Sequence, residues 1–239
     1  MFVISKRRIC IILLAFVLGI FAYSYENAKI NLGEEVKQTT STPVSGKVIV
    51  IDAGHGVPDE GAQSSKGTTE AETNLKIALK LQNLLESSGC TVILTRSDEN
   101  AIYDLDKNTL REKKISDIRN RVKIGNNASA DIFVSIHLNK IPQQQYWGWQ
   151  CFYNSKNKES INLAKKIQAN LNDAIQKENK RVAMKLDTVY IMKHVEIPIS
   201  IVECGFLSNP EEEQELLNDE YQNKLSCGIF NGIIEYFNK

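Results

Sequence analysis

Four β-branched residues in succession, Val48-Ile49-Val50-Ile51, run straight into Asp52-Ala53-Gly54-His55-Gly56, and this stretch constrains the fold more than any other. So short and uniform an apolar run, bounded by Gly46 and a Gly-His-Gly turn, predicts a buried strand, because β-branched side chains fit a pleated sheet better than a helix. The strand delivers Asp52 and His55 to its carboxyl end, where the flanking glycines let the backbone turn sharply and keep the imidazole uncovered. In open α/β sheets that edge is where ligands bind. A lone histidine there is ordinarily structural. Two later strands that end in the same way change the reading.

The remaining elements follow in alternation. After a polar loop, Glu70 opens a segment with Leu75, Ala78, Leu79 and Leu85 at helical spacing, closed by Ser87-Ser88-Gly89. Thr91 to Thr95 is a second strand, and 96–114 is charged and irregular. Ile115, Ile118 and Val122 mark a short amphipathic helix with Arg121 and Asn126 at its polar end, and Ile132 to Ile136 is a strand that ends in His137. Trp147 and Trp149 are expected to be half-buried packing residues ahead of a short strand, Cys151 to Tyr153. Ile161, Ala164, Ile167, Leu171 and Ile175 give the clearest helical stripe. Val189 to Met192 reads as a strand with His194 in an exposed loop after it, and Ile199 to Val202 as the last buried strand, ending in Glu203. Asn209-Pro210-Glu211-Glu212 is a helix start whose acids serve the cap and the dipole, and a closing helix runs from about Glu220 to Phe237. Strands alternating with helices make this an α/β chain.

The amino terminus belongs to something else. Lys6, Arg7 and Arg8 precede an uncharged run from Ile9 to Tyr25, a basic flank followed by an apolar segment of the kind that directs export. The expected organisation is a signal-anchor or transmembrane segment over 1–25, retained in the membrane in preference to cleavage near Ala22-Tyr23-Ser24. A flexible polar tether follows over 26–45 and a catalytic domain over 46–239. The balance of 29 basic against 29 acidic residues supplies no global field that would favour nucleic acid as a partner. Cys10 lies in the apolar run; Cys90, Cys151, Cys204 and Cys227 show no C-x-x-C spacing and are expected to be buried free thiols.

His55, Glu70 and His137 fall at one sheet edge, a two-histidine, one-carboxylate set that suits zinc with its fourth position left to water. Zinc so held acidifies water and polarises a carbonyl. Glu203, within reach of the set, would accept the water's proton and pass it to a leaving amine. Each residue also has a plainer reading. A carboxylate such as Glu70 at a helix start complements the dipole, and Glu203 at a strand end can partner a backbone amide. No H-E-x-x-H occurs, so the site is assembled from distant segments.

The segments Asp52 to Gly56, Gly67 to Leu75, Phe133 to Asn139 and Ile201 to Asn209 resemble, in order, the four signatures of the zinc-dependent N-acetylmuramoyl-L-alanine amidases of the amidase-3 family. The resemblance spans 47–239 and implies a twisted, mostly parallel sheet flanked by helices on both faces, His55, Glu70 and His137 as zinc ligands, Glu203 as the catalytic glutamate, and structural roles for Arg121 and Asn126. Val57 departs from the pattern, which commonly has a third glycine there. The expected substrate is peptidoglycan. An anchor, a tether and a bare catalytic domain resemble most the germination-specific amidases of spore-forming bacteria, which act in cortex maturation toward muramic-δ-lactam. Without wall-binding repeats, an activating or positioning protein is also expected. Rival readings are a wall carboxypeptidase or deacetylase with the same ligands, or a non-catalytic wall-binding module.

Overall fold

The computed structural model describes residues 17–20, 22–24 and 42–238. Two units divide the chain, 1–41 and 42–239. Of the first unit, 17–20 and 22–24 are helical, and the expected anchor and tether otherwise lie outside the described residues up to Thr42. Among the described residues no helix is long and apolar enough to cross a membrane.

In the second unit, strands β1 (Val48–Ala53), β2 (Thr91–Leu94), β3 (Ile132–Asn139), β4 (Gln150–Tyr153), β5 (Met184–Lys185) and β6 (Ile199–Phe206) form one sheet in the order β2-β1-β3-β6-β4-β5. β2, β1, β3 and β6 are parallel neighbours, and β4 runs antiparallel to β6. The sequence behind β1 and β3 is nearly continuous in Val and Ile because both of their faces are covered. On one face Ile49, Ile51, Ile132 and Val134 pack against helices α1 (Glu70–Ser87), α3 (Lys158–Ile175) and α6 (Asp219–Phe237). On the other, Val50, Phe133, Ile199 and Ile201 meet Val122 of α2 (Leu110–Asn127) and Ile191 and Met192 of α4 (Tyr190–His194). α5 (Pro210–Leu217) precedes α6 and starts as expected, with the Asn209 side chain accepting the Glu211 and Glu212 N–H groups. The expected mostly parallel sheet between helices is the observed architecture.

Several elements differ from the sequence reading. The run expected as a strand from Val189 is the short helix α4: Lys193 N–H donates to Val189 O, and Val189, Ile191, Met192 and Val195 all turn toward the second core. A four-residue apolar run carries no period that separates helix from strand. His194 is exposed as expected, but on that helix, stacked on Tyr190. α2 starts at Leu110, one turn earlier than its apolar stripe, because Thr109 and Glu112 form a capping box. Trp149 is fully buried, its indole N–H donating to Asn172, whereas Trp147 is half-buried. Cys90, Cys151 and Cys204 are buried free thiols, but Cys227 is exposed.

Candidate metal centre

The carboxyl edge of the parallel strands carries His55, His137 and Glu203 within three neighbouring strands or their exits, β1, β3 and β6. His55 stands just past β1 with φ of +63°, a left-handed conformation that a side chain adopts at a cost and that clusters at functional sites. Two glycines make room around it. A Cβ on Gly54 would run into the His137 ring, and one on Gly61 would lie 2.6 Å from Glu70 Oε2. Glu70 is the first residue of α1, after its N-cap Thr69, and is buried. Its Oε2 accepts the Ala62 N–H at 2.8 Å and its Oε1 the Leu138 N–H at 3.1 Å, which aims the carboxylate between the two imidazoles.

The expected set comes together. Glu70 Oε1 is 2.9 Å from His137 Nδ1, Glu70 Oε2 is 3.4 Å from His55 Nε2, and one ligand atom from each of the three residues lies within 4.8 Å of the others. Behind His55, its Nδ1 faces Asp59 Oδ2 at 3.3 Å, and Lys114 Nζ is 3.0 Å from the same carboxylate oxygen. Burial disfavours the charged imidazole, but Asp59 and Glu70 outweigh it and hold the His55 pKa up at about 9. Burial likewise opposes the Glu70 carboxylate, yet His137 and His55 pull its pKa well below the usual range. Glu203 is the Cα partner of His137 on the adjacent strand. Its Oε2 is buried with no hydrogen-bond partner among the described residues, and burial, with a smaller contribution from Glu70 and against the pull of His137, raises its pKa to about 7. An unpartnered carboxylate oxygen beside two imidazoles and a second carboxylate is an arrangement that calls for a further ligand.

Beneath the site, two guanidinium groups fix the backbone that presents His55. Arg121 is buried, pairs with Asp52 at 2.6 Å and Asp117 at 2.8 Å, and donates to Ala53 O and His55 O. Asp52 also accepts from Thr95 and Ser135. Arg96 donates to Ala53 O, Gly54 O and Ala71 O, joining the β1 exit to the start of α1. Sequence reasoning passed over Arg96 and Asp59 because both stand in loops that read as solvated charge; the one signal for Arg96 was its position directly after a strand. Asn126 lies apart from the centre and ties α2 to the end of α4 through His194 O and the Glu196 N–H. Val57, where a third glycine was expected, pairs its backbone with Glu99 and Ala101 and leaves the ligands untouched. A cavity of about 220 Å³ opens beside the cluster, walled by Ile118, Leu186, Val189 and Ile201.

The family model for N-acetylmuramoyl-L-alanine amidases matches residues 49–235. The chain belongs to that family. Similar to it is the germination-specific N-acetylmuramoyl-L-alanine amidase of Bacillus subtilis, 35% identical over 225 residues that cover 94% of this chain and 92% of that one. Among solved structures, the CwlD amidase from Clostridioides difficile, determined in complex with the GerS lipoprotein, superposes with a TM-score of 0.79 at 42% identity, covering 81% of this chain and 99% of that one. The catalytic domain of CwlV from Paenibacillus polymyxa reaches a TM-score of 0.70 at 30% identity, covering 80% and 98% of the two chains. This amidase therefore acts on peptidoglycan.

Proposed function

We propose that the amidase uses zinc held by His55, Glu70 and His137, with Glu203 as its general acid and base, to cleave the amide between N-acetylmuramic acid and L-alanine. The observation that carries the reading is the donor set itself: two imidazole nitrogens and a carboxylate oxygen within 4.8 Å, with the unpartnered Glu203 Oε2 on the neighbouring strand. The ring nitrogens that face Glu70, Nε2 of His55 and Nδ1 of His137, are those that would hold the ion, and Asp59 on the far side of His55 would fix that ring. Bound there, zinc supplies a Lewis acid that polarises the scissile carbonyl and acidifies water.

The chain's own residues do the rest. Glu203 accepts a proton as water adds to the lactyl carbonyl carbon, then returns it to the alanine nitrogen as the C–N bond breaks. The products are a free lactyl carboxyl group on muramic acid and a free alanine amine. Two finer steps rest on resemblance and sequence. The similarity to germination-specific relatives supports a place in cortex maturation toward muramic-δ-lactam, and the apolar run from Ile9 supports attachment to the membrane through 1–25, with 26–45 as a tether and 46–239 as the catalytic domain. The Clostridioides difficile relative, solved in complex with a lipoprotein, supports a positioning or activating partner protein for this amidase as well.

Glu203→Gln in the full chain tests the mechanism, with zinc content and amide cleavage measured on the same sample. Glutamine keeps the size and most hydrogen bonding but takes no proton, so turnover falls by roughly 100-fold or more while the zinc stays. His137→Ala, in contrast, loses the zinc. A fully metallated Glu203→Gln enzyme with near wild-type rate contradicts the mechanism. Loss of zinc in that variant would instead make Glu203 a ligand and leave Glu70 as a helix-terminus carboxylate.

A further inference from the structure

Two strands across the same edge from His137, a second group of side chains has no part in the chemistry described so far. Gln150 opens β4 as the Cα partner of Glu203, so its side chain lies on the same sheet face. Its Oε1 accepts from Arg181 Nη1 at 3.2 Å, while Arg181 Nε donates to Trp147 O at 3.4 Å and the guanidinium lies 4.7 Å over the Phe206 ring. The side-chain contacts of Arg181 are thus all to neutral groups: among the described residues no carboxylate comes within ion-pair distance of it, and its Nη2 makes no hydrogen bond. Lys177, 4.2 Å over the Trp147 ring, adds a second cation. The acid that senses both, Glu212, is already engaged by the Gly148 and Phe206 amides. Arg181 and Trp147 line an open depression of about 420 Å³ together with Asn179 and the ion pair Glu178–Lys180, whose acid is taken up by the lysine at 3.2 Å.

A fixed guanidinium with a free donor and no carboxylate within ion-pair distance suits a carboxylate ligand, which its planar fork grips better than an ammonium would. We infer that Arg181, seated on Gln150 and Phe206, binds a carboxylate of the stem peptide just beyond the scissile alanine. The inference rests on the amidase reading, which sets where the peptide starts. Strands are spaced about 4.8 Å apart, so Gln150 stands roughly 10 Å from His137, about the reach of three extended residues. A glutamate that follows the alanine through its γ-carboxyl, with its α-carboxylate free, falls within that span.

The test is binding, so that it does not depend on turnover. L-alanyl-γ-D-glutamate and its α-amide are titrated into the full chain and into Arg181→Gln, with thermal unfolding recorded for each protein. The wild type should bind the acid about 10-fold more tightly than the amide, and Arg181→Gln should lose that preference while binding the amide unchanged. Arg181→Lys, which keeps the charge but not the fork, should keep only part of it. Equal binding of the two probes by the wild type overturns the inference, even if Arg181→Gln does not fold, and so does an equal loss for both probes in a folded variant. Failure of the amidase reading would appear separately, as wild-type enzyme that releases no alanine amine from peptidoglycan.

Discussion

Asp52 and Arg121 show how much of the centre depends on residues outside the His55, Glu70 and His137 donor set. Burial alone would raise the Asp52 pKa, but Arg121, with His137, Ser135 and Thr95, outweighs it and holds the carboxyl below its ordinary value. Asp52→Asn leaves the Arg121 charge buried with less compensation, and denaturant unfolding at pH 7 should show a loss of about 3–5 kcal/mol. Because the folded-state pKa is depressed, that stabilisation is present above the unfolded carboxylate pKa and is lost as pH falls through the folded value. The gap between wild type and variant should therefore narrow below about pH 4; a constant gap from pH 7 to pH 3 would mean that the charge pair contributes nothing. His55, Glu70, His137 and Glu203 were legible as candidates because each begins or ends an element, where sequence pattern is sharpest. Arg96 and Asp59 were not, since their partners are backbone carbonyls and a histidine brought near only by the tertiary fold.

The elements themselves were legible wherever their period was long. α1, α3 and α6 bury continuous stripes, and β1, β3 and β6 are continuous apolar runs between covered faces. Short pieces were misread: α4 buries Ile191 and Met192 with no room for a period to develop, and the two-residue β5 carries no pattern at all. The start of α2 is a different case, because its signal was present as Thr109-x-x-Glu112 and owes nothing to hydrophobicity. There the Thr109 side chain accepts the Glu112 N–H, and Glu112 accepts the Thr109 N–H in return. Thr109→Ala should cost about 1 kcal/mol in equilibrium unfolding. The distant Arg121 pairs should hold through it, so zinc content should stay at the wild-type level. A loss below about 0.3 kcal/mol would show that the first turn of α2 is held by packing alone.

For the molecule as a whole, the order of the strands does the assembling. Placing β1, β3 and β6 side by side brings residues more than 140 positions apart in the chain, His55 and Glu203, to one edge, while Glu70 reaches in from the start of α1. Juxtaposition of this kind cannot be read from spacing along the chain; four motifs in family order stood in for it. The chemistry proposed for this edge severs the bond between muramic acid and alanine. Purified peptidoglycan digested with the full chain, followed by mass spectrometry of both the soluble peptides and the residual glycan, tests it most directly. Stem peptides should be released with a free alanine amine and glycan left with free lactyl carboxyl groups, with neither product after metal chelation. Stem peptides shortened at their carboxyl end or deacetylated sugars, with the muramoyl-alanine amide intact, would contradict it.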